Sequence, residues 1–433
     1  MSKLYVHVGM HKTGSSSIQK SLDKSLQDNK FAYLHFKKSN HSGYIHRFFS
    51  NVPVITKEDV LRNKKVDSSL VSQLSNNNID SFITSGEGII RLDETELNSL
   101  KNYFLEHADA INIIAYVRSP KSYIESAFQQ ILKAEFINFD LNKAYPNYRD
   151  RFEKFDTVFG CENVILWKFE PKSFPANDVV LDFCEKLEIP FDPAKVIRVN
   201  ESLSTEAVAL LYFYRKYGPK QDGLIDRKVN KRLIERIAKI GNSKFKFSPV
   251  LIEPLLNKNR FDIEWMENRL GASLREDMKE GKLDISSEEQ LSKIAVDNVK
   301  YLKEIIDPEF FPEGVLGNTA EEVAVIMDSL RKQELSKYIS NKSIIEGNVM
   351  AVTMNQIVEK LKTESPKIDE KELRKLVRST LNHLKEEITD SDAQVVNIAS
   401  LGKFRKKEVE KDDQKSIRFI FIPNSSDKKS DKS

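Results

Sequence analysis

The sequence predicts an α/β protein in which helices flank a parallel β-sheet, followed by a small α+β domain. Three observations lead to this prediction. Short apolar runs alternate with helical patterns over the first half of the chain, as expected of strand–helix–strand units. Two of these runs end in polar segments, at residues 9–17 and 116–126, whose residue types suit anion binding. Residues 352–423 instead show two helical patterns followed by strand patterns.

The first strand and the first helix meet at residues 9–17, which read GMHKTGSSS. The strand is predicted from alternating apolar positions at Leu4, Val6 and Val8. The helix is predicted from apolar residues that recur every four positions, at Ile18, Leu22 and Leu26. The start of a helix exposes backbone N–H groups and the positive end of the helix dipole. We therefore expect this junction to bind a phosphate or sulfate group.

The residue types within the junction favour the same interpretation. Gly14 is expected to let the backbone approach a ligand closely, and Lys12 places a mobile charge beside it. Ser15, Ser16 and Ser17 supply hydroxyl and N–H groups in the first helical turn. Nucleotide triphosphatases place the lysine directly after the second glycine, whereas here it precedes that glycine, which counts against an ATPase or a kinase. An ordinary turn with a surface lysine is the alternative.

A second junction of the same kind follows further along the chain, in the segment YVRSPKSYIES. The run INIIAYV is nearly continuous in apolar residues, as expected of a strand covered by helices on both faces. Arg118 ends this strand, and Ser119 and Pro120 suit the N-cap and the first position of a helix. Arg118 and Ser126 can together grip one phosphate. Two such junctions on neighbouring strands predict a doubly anionic ligand.

Further elements are predicted from the same patterns. A short strand is expected at residues 81–84 and another at residues 163–169. Helices are expected at residues 178–187, 205–217, 228–240 and 288–306, with Ser204 as the N-cap of the second of these. These helices are expected to cover the sheet and to form a pocket for a second substrate.

The two junctions together resemble the sulfotransferases that use 3′-phosphoadenosine 5′-phosphosulfate (PAPS). The sequence HKTGSSSIQ is similar to the loop by which that family holds the 5′-phosphosulfate, and Arg118 is followed by Ser126 at the family's interval of eight residues. The segment VNESLS, residues 199–204, is also similar to bacterial and viral-type members. The resemblance extends over residues 1–310. An Arg-Lys-Gly segment, which many eukaryotic members use for the 3′-phosphate, has no clear counterpart here.

The resemblance implies a role for each residue of the two motifs. Lys12 would contact the oxygen that leaves with the sulfuryl group, and His11 would orient the loop. The N–H groups of Thr13, Gly14, Ser15, Ser16 and Ser17 would hold the 5′-phosphate, while Arg118 and Ser126 would hold the 3′-phosphate. PAPS would be the co-substrate, and no metal would be required.

The acceptor hydroxyl or amine must also lose its proton, which requires a base beside the transferring group. Glu87 follows the predicted strand at residues 81–84, at the end where open α/β sheets bind their ligands, and is the first candidate. Family members use either a glutamate or a histidine, so His41 and His46 are the alternatives. The acceptor is expected to be a saccharide, a lipid, a small metabolite or a protein.

Composition narrows the class of protein. The 68 basic and 65 acidic residues give a net charge of +3, which provides no global signal for nucleic acid or membrane binding. Cys161 and Cys184 are too few for a disulfide framework or a zinc site, and both are expected to be core thiols. No signal-like N-terminus or run of 18 apolar residues occurs, so a soluble, cytoplasmic protein without a membrane partner is expected.

The C-terminal patterns resemble the HU/IHF family of DNA-bending proteins. Two predicted helices precede a strand containing Leu401, Gly402, Lys403 and Phe404, which match part of that family's motif. The tip of the hairpin that follows is short and mixed in charge, so strong DNA bending is not expected. DNA phosphates could still be contacted by the basic residues Lys403, Arg405, Lys406, Lys407 and Arg418. Because HU folds are intertwined dimers, this domain is also a candidate for homodimerisation.

The sequence therefore predicts a sulfotransferase domain at residues 1–310 and a helical connector at 311–350. An HU-like domain is expected at residues 351–425 and a disordered tail at 426–433. The first functional hypothesis is a PAPS-dependent sulfotransferase. The alternative is a non-catalytic structural or DNA-associated protein that keeps a degenerate sulfotransferase fold.

Overall fold

A computed structural model describes most of the chain as two compact units. The described residues are 2–10, 12–26, 28–51, 57–199, 202–219, 224–281, 283–346, 354–364, 368–390, 395–398, 402–411 and 414–423. The first unit comprises Met1–Lys220 and Asn230–Glu334, and the second comprises Gln221–Val229 and Leu335–Ser433. His11, residues 200–201, residues 399–401 and the terminal residues 424–433 lie outside the described residues.

The first unit contains a parallel sheet. Its strands are β1 (Lys3–His7), β2 (Phe31–Tyr33), β3 (Ser81–Ser85), β4 (Ala110–Val117) and β5 (Val164–Lys168). Their order in the sheet is β2-β3-β1-β4-β5, and each pair of neighbours is parallel. The predicted α/β class is thereby confirmed. The sequence patterns missed β2, which is three residues long and lies at the edge of the sheet.

Helices surround this sheet and continue to residue 346. They are α1 (Ser15–Ser25), α2 (Ser42–Phe49), α3 (Lys57–Leu74), α4 (Glu94–Leu105), α5 (Pro120–Ala134), α6 (Tyr148–Phe159), α7 (Val179–Lys186), α8 (Thr205–Tyr217), α9 (Leu224–Ile237), α10 (Pro249–Lys258), α11 (Arg260–Leu270), α12 (Glu288–Asp297), α13 (Val299–Ile305) and α14 (Ala320–Glu346). The prediction of one helix over residues 288–306 was wrong, because Asn298 interrupts it with a non-helical backbone.

The sheet is covered on both faces. In β4, Ile113 and Ala115 belong to one apolar cluster, whereas Ile114 and Tyr116 belong to the other, because successive side chains of a strand point to opposite faces. Helix α1 buries Ile18 and Leu22 in the second cluster, as its spacing predicts. Ser204 also caps α8 as predicted, since its hydroxyl accepts a hydrogen bond from the N–H of Ala207 at 3.0 Å.

The second unit contains α15 (Met354–Glu364) and α16 (Glu370–Asp390), followed by β6 (Val395–Ile398), β7 (Gly402–Lys411) and β8 (Gln414–Pro423). These strands form an antiparallel sheet in the order β6-β7-β8. Val358 of α15 packs with Leu373 and Val377 of α16 in a small apolar cluster. The likeness to the HU/IHF family and the homodimer stay predictions.

Two composition-based expectations can be compared with the described residues. Cys184 is buried as expected, but Cys161 is exposed after the end of α6, so its prediction as a core thiol was wrong. Within the described ranges, no helix has the length and apolar content needed to cross a membrane.

Candidate active site

The two predicted anion-binding segments meet at one edge of the sheet. Strand β1 pairs directly with β4, so that His7 lies opposite Ile114, and the N–H of Val8 donates to the carbonyl of Ile114 at 3.0 Å. Because parallel strands end at the same edge, the segment after β1 and the segment that begins with Arg118 emerge side by side.

The loop between β1 and α1 is held in a tight conformation. Gly9, Lys12 and Gly14 all have left-handed backbones, with φ angles of 48°, 69° and 79°. The hydroxyl of Thr13 donates to the carbonyl of Met10 at 2.6 Å and closes the turn. Lys12 is the one residue of these three for which a positive φ is unfavourable, so the surrounding contacts must hold it in place.

At Gly9 and Gly14 the loop leaves no room for a Cβ atom. A Cβ atom at Gly9 would lie 2.7 Å from Oγ of Ser15 and 3.1 Å from Cγ of Glu87. A Cβ atom at Gly14 would lie 2.5 Å from Cγ1 of Val179 in α7. Val179 therefore requires glycine at position 14, and close approach of a ligand there stays a prediction.

The start of α1 offers a buried polar position. Ser15 is 1% exposed, and its hydroxyl has no hydrogen-bond partner among the described residues. The N–H groups of Ser15 and Ser16 make no backbone hydrogen bond to a described residue, whereas the N–H of Ser17 donates to the carbonyl of Gly14 at 2.9 Å. The N–H of Ser17 is thus already used. The N–H groups of Ser15 and Ser16, at the start of the helix, are the ones open to a ligand.

Arg118 joins the two segments. Its Nη1 donates to the carbonyl of Lys12 at 2.6 Å, and its Nε donates to the hydroxyl of Ser122 at 3.1 Å. The guanidinium also lies 5.6 Å from the centre of the Phe169 ring. Burial lowers the pKa of Arg118, and nearby carboxylates, Glu276 foremost, oppose this shift.

A single cavity of about 860 Å³ connects these groups. Its walls include all the candidate residues that lie in the described part of these segments except Thr13: Lys12, Gly14, Ser15, Ser16, Ser17, Arg118 and Ser126. Thr13 belongs to the loop but is fully buried, and Ser126 is 7% exposed. The volume is in the range of pockets that hold small-molecule ligands.

Of the candidate bases, Glu87 lines this cavity. It begins a short 3₁₀ turn directly after β3, where the N–H of Gly86 donates to the carbonyl of His7 at 3.0 Å. Strand β3 pairs with β1, so Glu87 emerges beside the loop at Gly9.

The structure does not bring His41 or His46 to the cavity wall. His41 is fully buried, with Nδ1 2.9 Å from the hydroxyl of Thr84 and its ring between those of Tyr33 and Phe36. Burial lowers its pKa to about 3. His46 lies partly buried on α2.

Other residues of the site gave no signal in the sequence. Tyr123 and Arg151 line the cavity, with the guanidinium of Arg151 5.6 Å from the centre of the Tyr123 ring. Arg151 belongs to α6, which no recognised motif marks in the sequence, and Tyr123 reads as one more apolar position of α5.

The start of α5 differs from its prediction. Ser119 is at the N-cap, followed by Pro120, but its side chain makes no capping hydrogen bond. Instead, the N–H of Ser122 donates to the carboxylate of Glu276, at 3.0 Å to Oε2 and 3.3 Å to Oε1. Glu276 lies in the segment between α11 and α12. Local sequence patterns cannot detect a cap that comes from so far along the chain.

Sequence comparisons with known proteins do not establish a family for this chain. No protein-family model matches the sequence. Over 137 residues, the chain is 24% identical to an uncharacterized protein of Archaeoglobus fulgidus. That match covers 31% of this chain and 37% of the archaeal protein, so this chain spans about a third of the length of that relative.

Among solved structures, the chain is similar to a sulfotransferase from Alicyclobacillus acidocaldarius. The TM-score is 0.35 and the identity is 13%, over 62% of this chain and 96% of that chain. A likeness of this degree carries no functional conclusion.

Proposed function

We propose that the protein is a sulfotransferase that moves a sulfuryl group from PAPS to a hydroxyl or amine acceptor. The observation that carries this proposal is the 2.6 Å hydrogen bond from Arg118 to the carbonyl of Lys12. It joins two strand–helix junctions on one cavity of about 860 Å³, as a ligand with an anionic group at each end requires.

The 5′ end of the donor would bind at the start of α1. Open N–H groups, the positive end of the helix dipole and the ammonium group of Lys12 all favour an anion there. The unpartnered hydroxyl of Ser15 supports this assignment, because a buried polar group without a partner is costly unless a ligand completes it. Arg118 and Ser126 would hold the 3′-phosphate at the other end of the cavity.

The chemistry assigns a role to Lys12 and to Glu87. The acceptor oxygen or nitrogen would attack the sulfur atom while the bond from sulfur to the bridging oxygen breaks. Lys12 would stabilise the negative charge that develops on that oxygen, which leaves with adenosine 3′,5′-bisphosphate. Glu87 would take the proton of the acceptor. The position of Glu87 in the cavity wall favours it over His41 and His46, which lie outside that wall.

Binding of adenosine 3′,5′-bisphosphate, measured by isothermal titration calorimetry, tests the proposal. We expect micromolar affinity in the wild type and a loss of about tenfold or more in Lys12→Ala and in Ser126→Ala, because each removes a hydrogen bond to a charged phosphate group. Lys172→Ala, which alters an exposed lysine outside the cavity wall, is the matched control and should bind normally. Absence of binding in the wild type would contradict the proposal.

A second candidate function is contact with DNA through the second unit. The register of β7 and β8 sorts the charges of the hairpin by face. Because alternate residues share a face and opposite residues share it too, one face carries five basic positions and no acidic one among residues 402–411 and 414–423. These positions are Lys403, Arg405, Lys407, Lys411 and Arg418. Lys406, which the sequence analysis grouped with them, alternates to the other face with Glu408 and Glu410.

We propose that this basic face contacts phosphates of the DNA backbone. The test is retention on duplex DNA as a function of salt concentration. The variant Lys403→Ala/Lys407→Ala should reduce the salt dependence by about two units of slope, since each phosphate contact contributes about 0.9. Lys406→Ala/Lys415→Ala, on the opposite face of the same hairpin, is the matched control. Equal effects of both pairs would contradict the proposal.

A further inference from the structure

We propose that the acceptor of the sulfuryl group carries an anionic group of its own, which binds to Arg151 beside the proposed base Glu87. The anionic group is a carboxylate, a phosphate or a sulfate, because the oxygen atoms of these groups match the paired donors of a guanidinium. This inference rests on the proposed function and deepens it, since it names the chemical class of the acceptor that the same cavity would take.

Helix α6 places Arg151 between Arg118 and the turn that carries Glu87. The hydroxyl of Tyr148, at the start of α6, donates to the carbonyl of Arg118 at 2.6 Å. Further along the helix, the ammonium group of Lys154 donates at 2.6 Å to a carbonyl of the short turn that begins at Glu87. Arg151 lies three residues from each of these contacts, on the same side of the helix, and lines the cavity.

The guanidinium of Arg151 is held in place on one side and open on the other. Its Nε donates to the carbonyl of Pro146, and its central carbon lies 5.6 Å from the centre of the Tyr123 ring. Tyr123 is 3% exposed, so this ring is a fixed support. Among the residues that the structure describes, none accepts a hydrogen bond from Nη1 or Nη2 of Arg151. These two nitrogen atoms are therefore available to a ligand.

Two neighbouring arginines show how this region usually neutralises a guanidinium. Arg149, on the same helix, donates to the carboxylate of Glu153 at 2.7 and 3.0 Å. Arg269 of α11 makes two bonds of 2.8 Å to the carboxylate of Asp156. Arg151 has no such ion pair within the described ranges, although it alone of the three arginines lines the cavity. A half-buried charge without a counterion is costly, and an anionic ligand would offset that cost.

The other charges of the cavity wall leave this position to the acceptor. Lys12 and Arg118 are half-buried like Arg151, but both are assigned to the donor. The acidic wall residues Glu135 and Asp150 are exposed, and neither forms an ion pair with Arg151 in the part of the chain that the structure describes. Arg151 is thus the half-buried cation of the described wall that remains for a second substrate.

Arg151 also lies within electrostatic reach of the group that Glu87 influences. Burial raises the pKa of Tyr123, the positive charge of Arg151 opposes this shift, and the negative charge of Glu87 adds to it. Both charges therefore act on one phenol group of the wall. An acceptor whose anionic group binds Arg151 would have its hydroxyl or amine directed toward Glu87, which favours proton removal.

The charge of the acceptor can be tested before the acceptor is identified. Acceptors in a cell extract are separated by anion exchange into a retained and an unretained pool, and each pool is incubated with the wild type and PAPS labelled in its sulfuryl group. We expect at least tenfold more label in the retained pool. This measurement does not depend on a variant.

Pretreatment of the retained pool identifies the anionic group. Alkaline phosphatase removes phosphate monoesters, and amidation with a carbodiimide and ethanolamine neutralises carboxylates. Loss of transfer after the first treatment indicates a phosphate monoester, and loss after the second indicates a carboxylate. Transfer that survives both treatments indicates a sulfate or a phosphodiester.

The substitution Arg151→Gln tests the residue itself. It removes the charge but keeps a hydrogen-bond donor, so the half-saturating concentration of the retained pool should rise about tenfold or more while the maximal rate changes little. Affinity for adenosine 3′,5′-bisphosphate, measured by isothermal titration calorimetry, should stay unchanged. Arg149→Gln is the matched control, because it alters an exposed arginine of the same helix that lies outside the cavity wall.

Several results would overturn the inference while the proposed function still stands. These are comparable transfer to both pools, equal half-saturating concentrations for the wild type and Arg151→Gln, and no label in either pool although the bisphosphate binds. A tenfold loss of bisphosphate affinity in Arg151→Gln would also overturn it, because Arg151 would then belong to the donor. If the wild type neither transfers label nor binds the bisphosphate, both the proposed function and this inference fail.

Discussion

At the scale of single residues, the site depends on side chains that serve two segments at once. Arg118 bonds the backbone of Lys12 and the hydroxyl of Ser122, and so links the start of α1 to the start of α5. The hydroxyl of Ser85 likewise contacts Nδ1 of His7 at 2.8 Å and accepts from Nε2 of Gln19 at 3.1 Å. These contacts fix the backbone around the cavity before any ligand binds, which lowers the ordering cost of binding.

The proposed role of Glu87 as the base leads to a kinetic prediction. Glu87→Gln should lower the rate of sulfuryl transfer by about 100-fold or more, because general base catalysis contributes about that factor. Binding of adenosine 3′,5′-bisphosphate should change little. The measurement is single-turnover transfer of labelled sulfate to cell extracts. Glu135→Gln, which alters an exposed acid that also lines the cavity, is the control, and equal rates for wild type and Glu87→Gln would refute the assignment.

At the scale of elements, two glycines differ in whether alanine can replace them. Gly9 lies in the loop from β1 to α1, and Gly43 lies in α2. Gly9 has a φ angle of 48°, and a Cβ atom there would approach Ser15 and Glu87 within 3.1 Å. Gly43, in the first turn of α2, has nothing within 4 Å of such an atom.

Two alanine substitutions should therefore have opposite effects. Gly9→Ala should lower the free energy of unfolding by about 2–4 kcal/mol through backbone strain and contact with Ser15. Gly43→Ala should raise it by about 0.5–1 kcal/mol, because it reduces the freedom of the unfolded chain. Urea denaturation of both variants measures the difference. A shift of the same sign in both would be inconsistent with the loop geometry.

The elements also show where sequence patterns succeed. Strand β4 and helices α1, α5 and α8 follow from apolar periodicity, because each has one long packed stripe or run. Helix α9 begins four residues before its predicted start, at Leu224. The break at Asn298 between α12 and α13 was missed since asparagine inside an apolar repeat gives only a weak signal.

At the scale of the whole first unit, the parallel sheet explains how much of the site was predictable. The residues at the strand ends, Lys12, Glu87 and Arg118, could be found because strands of a parallel sheet end at one edge. Arg151 could not, because it reaches the cavity wall from a helix that only the folded chain brings there. That His41 and His46 lie outside the cavity wall could not be predicted either, since it depends on tertiary packing.

The buried histidines predict how stability depends on pH. Burial lowers the pKa of His7 to about 4, opposed by Glu87, and that of His41 to about 3. The unfolded chain therefore binds more protons than the folded one between these values and the ordinary histidine pKa of about 6.5. The stabilisation is fully present above that pH and is lost as the pH falls, by up to about 1.4 kcal/mol per pH unit for each histidine.

Denaturation with urea at a series of pH values checks this expectation. The free energy of unfolding of the wild type should fall between pH 6.5 and pH 4, and His41→Gln should show a shallower slope because one titrating group is missing. Above pH 7 the two proteins should vary in parallel. Identical slopes below pH 6 would mean that His41 does not contribute.

The hydrogen bond between Arg118 and the carbonyl of Lys12 has a thermodynamic consequence. Since one side chain orders both ends of the cavity, a fragment bound at either end prepares the other, and linkage makes this coupling reciprocal. Inorganic sulfate and adenosine 3′-monophosphate should then bind with positive cooperativity, so that each binds more tightly when the other is present.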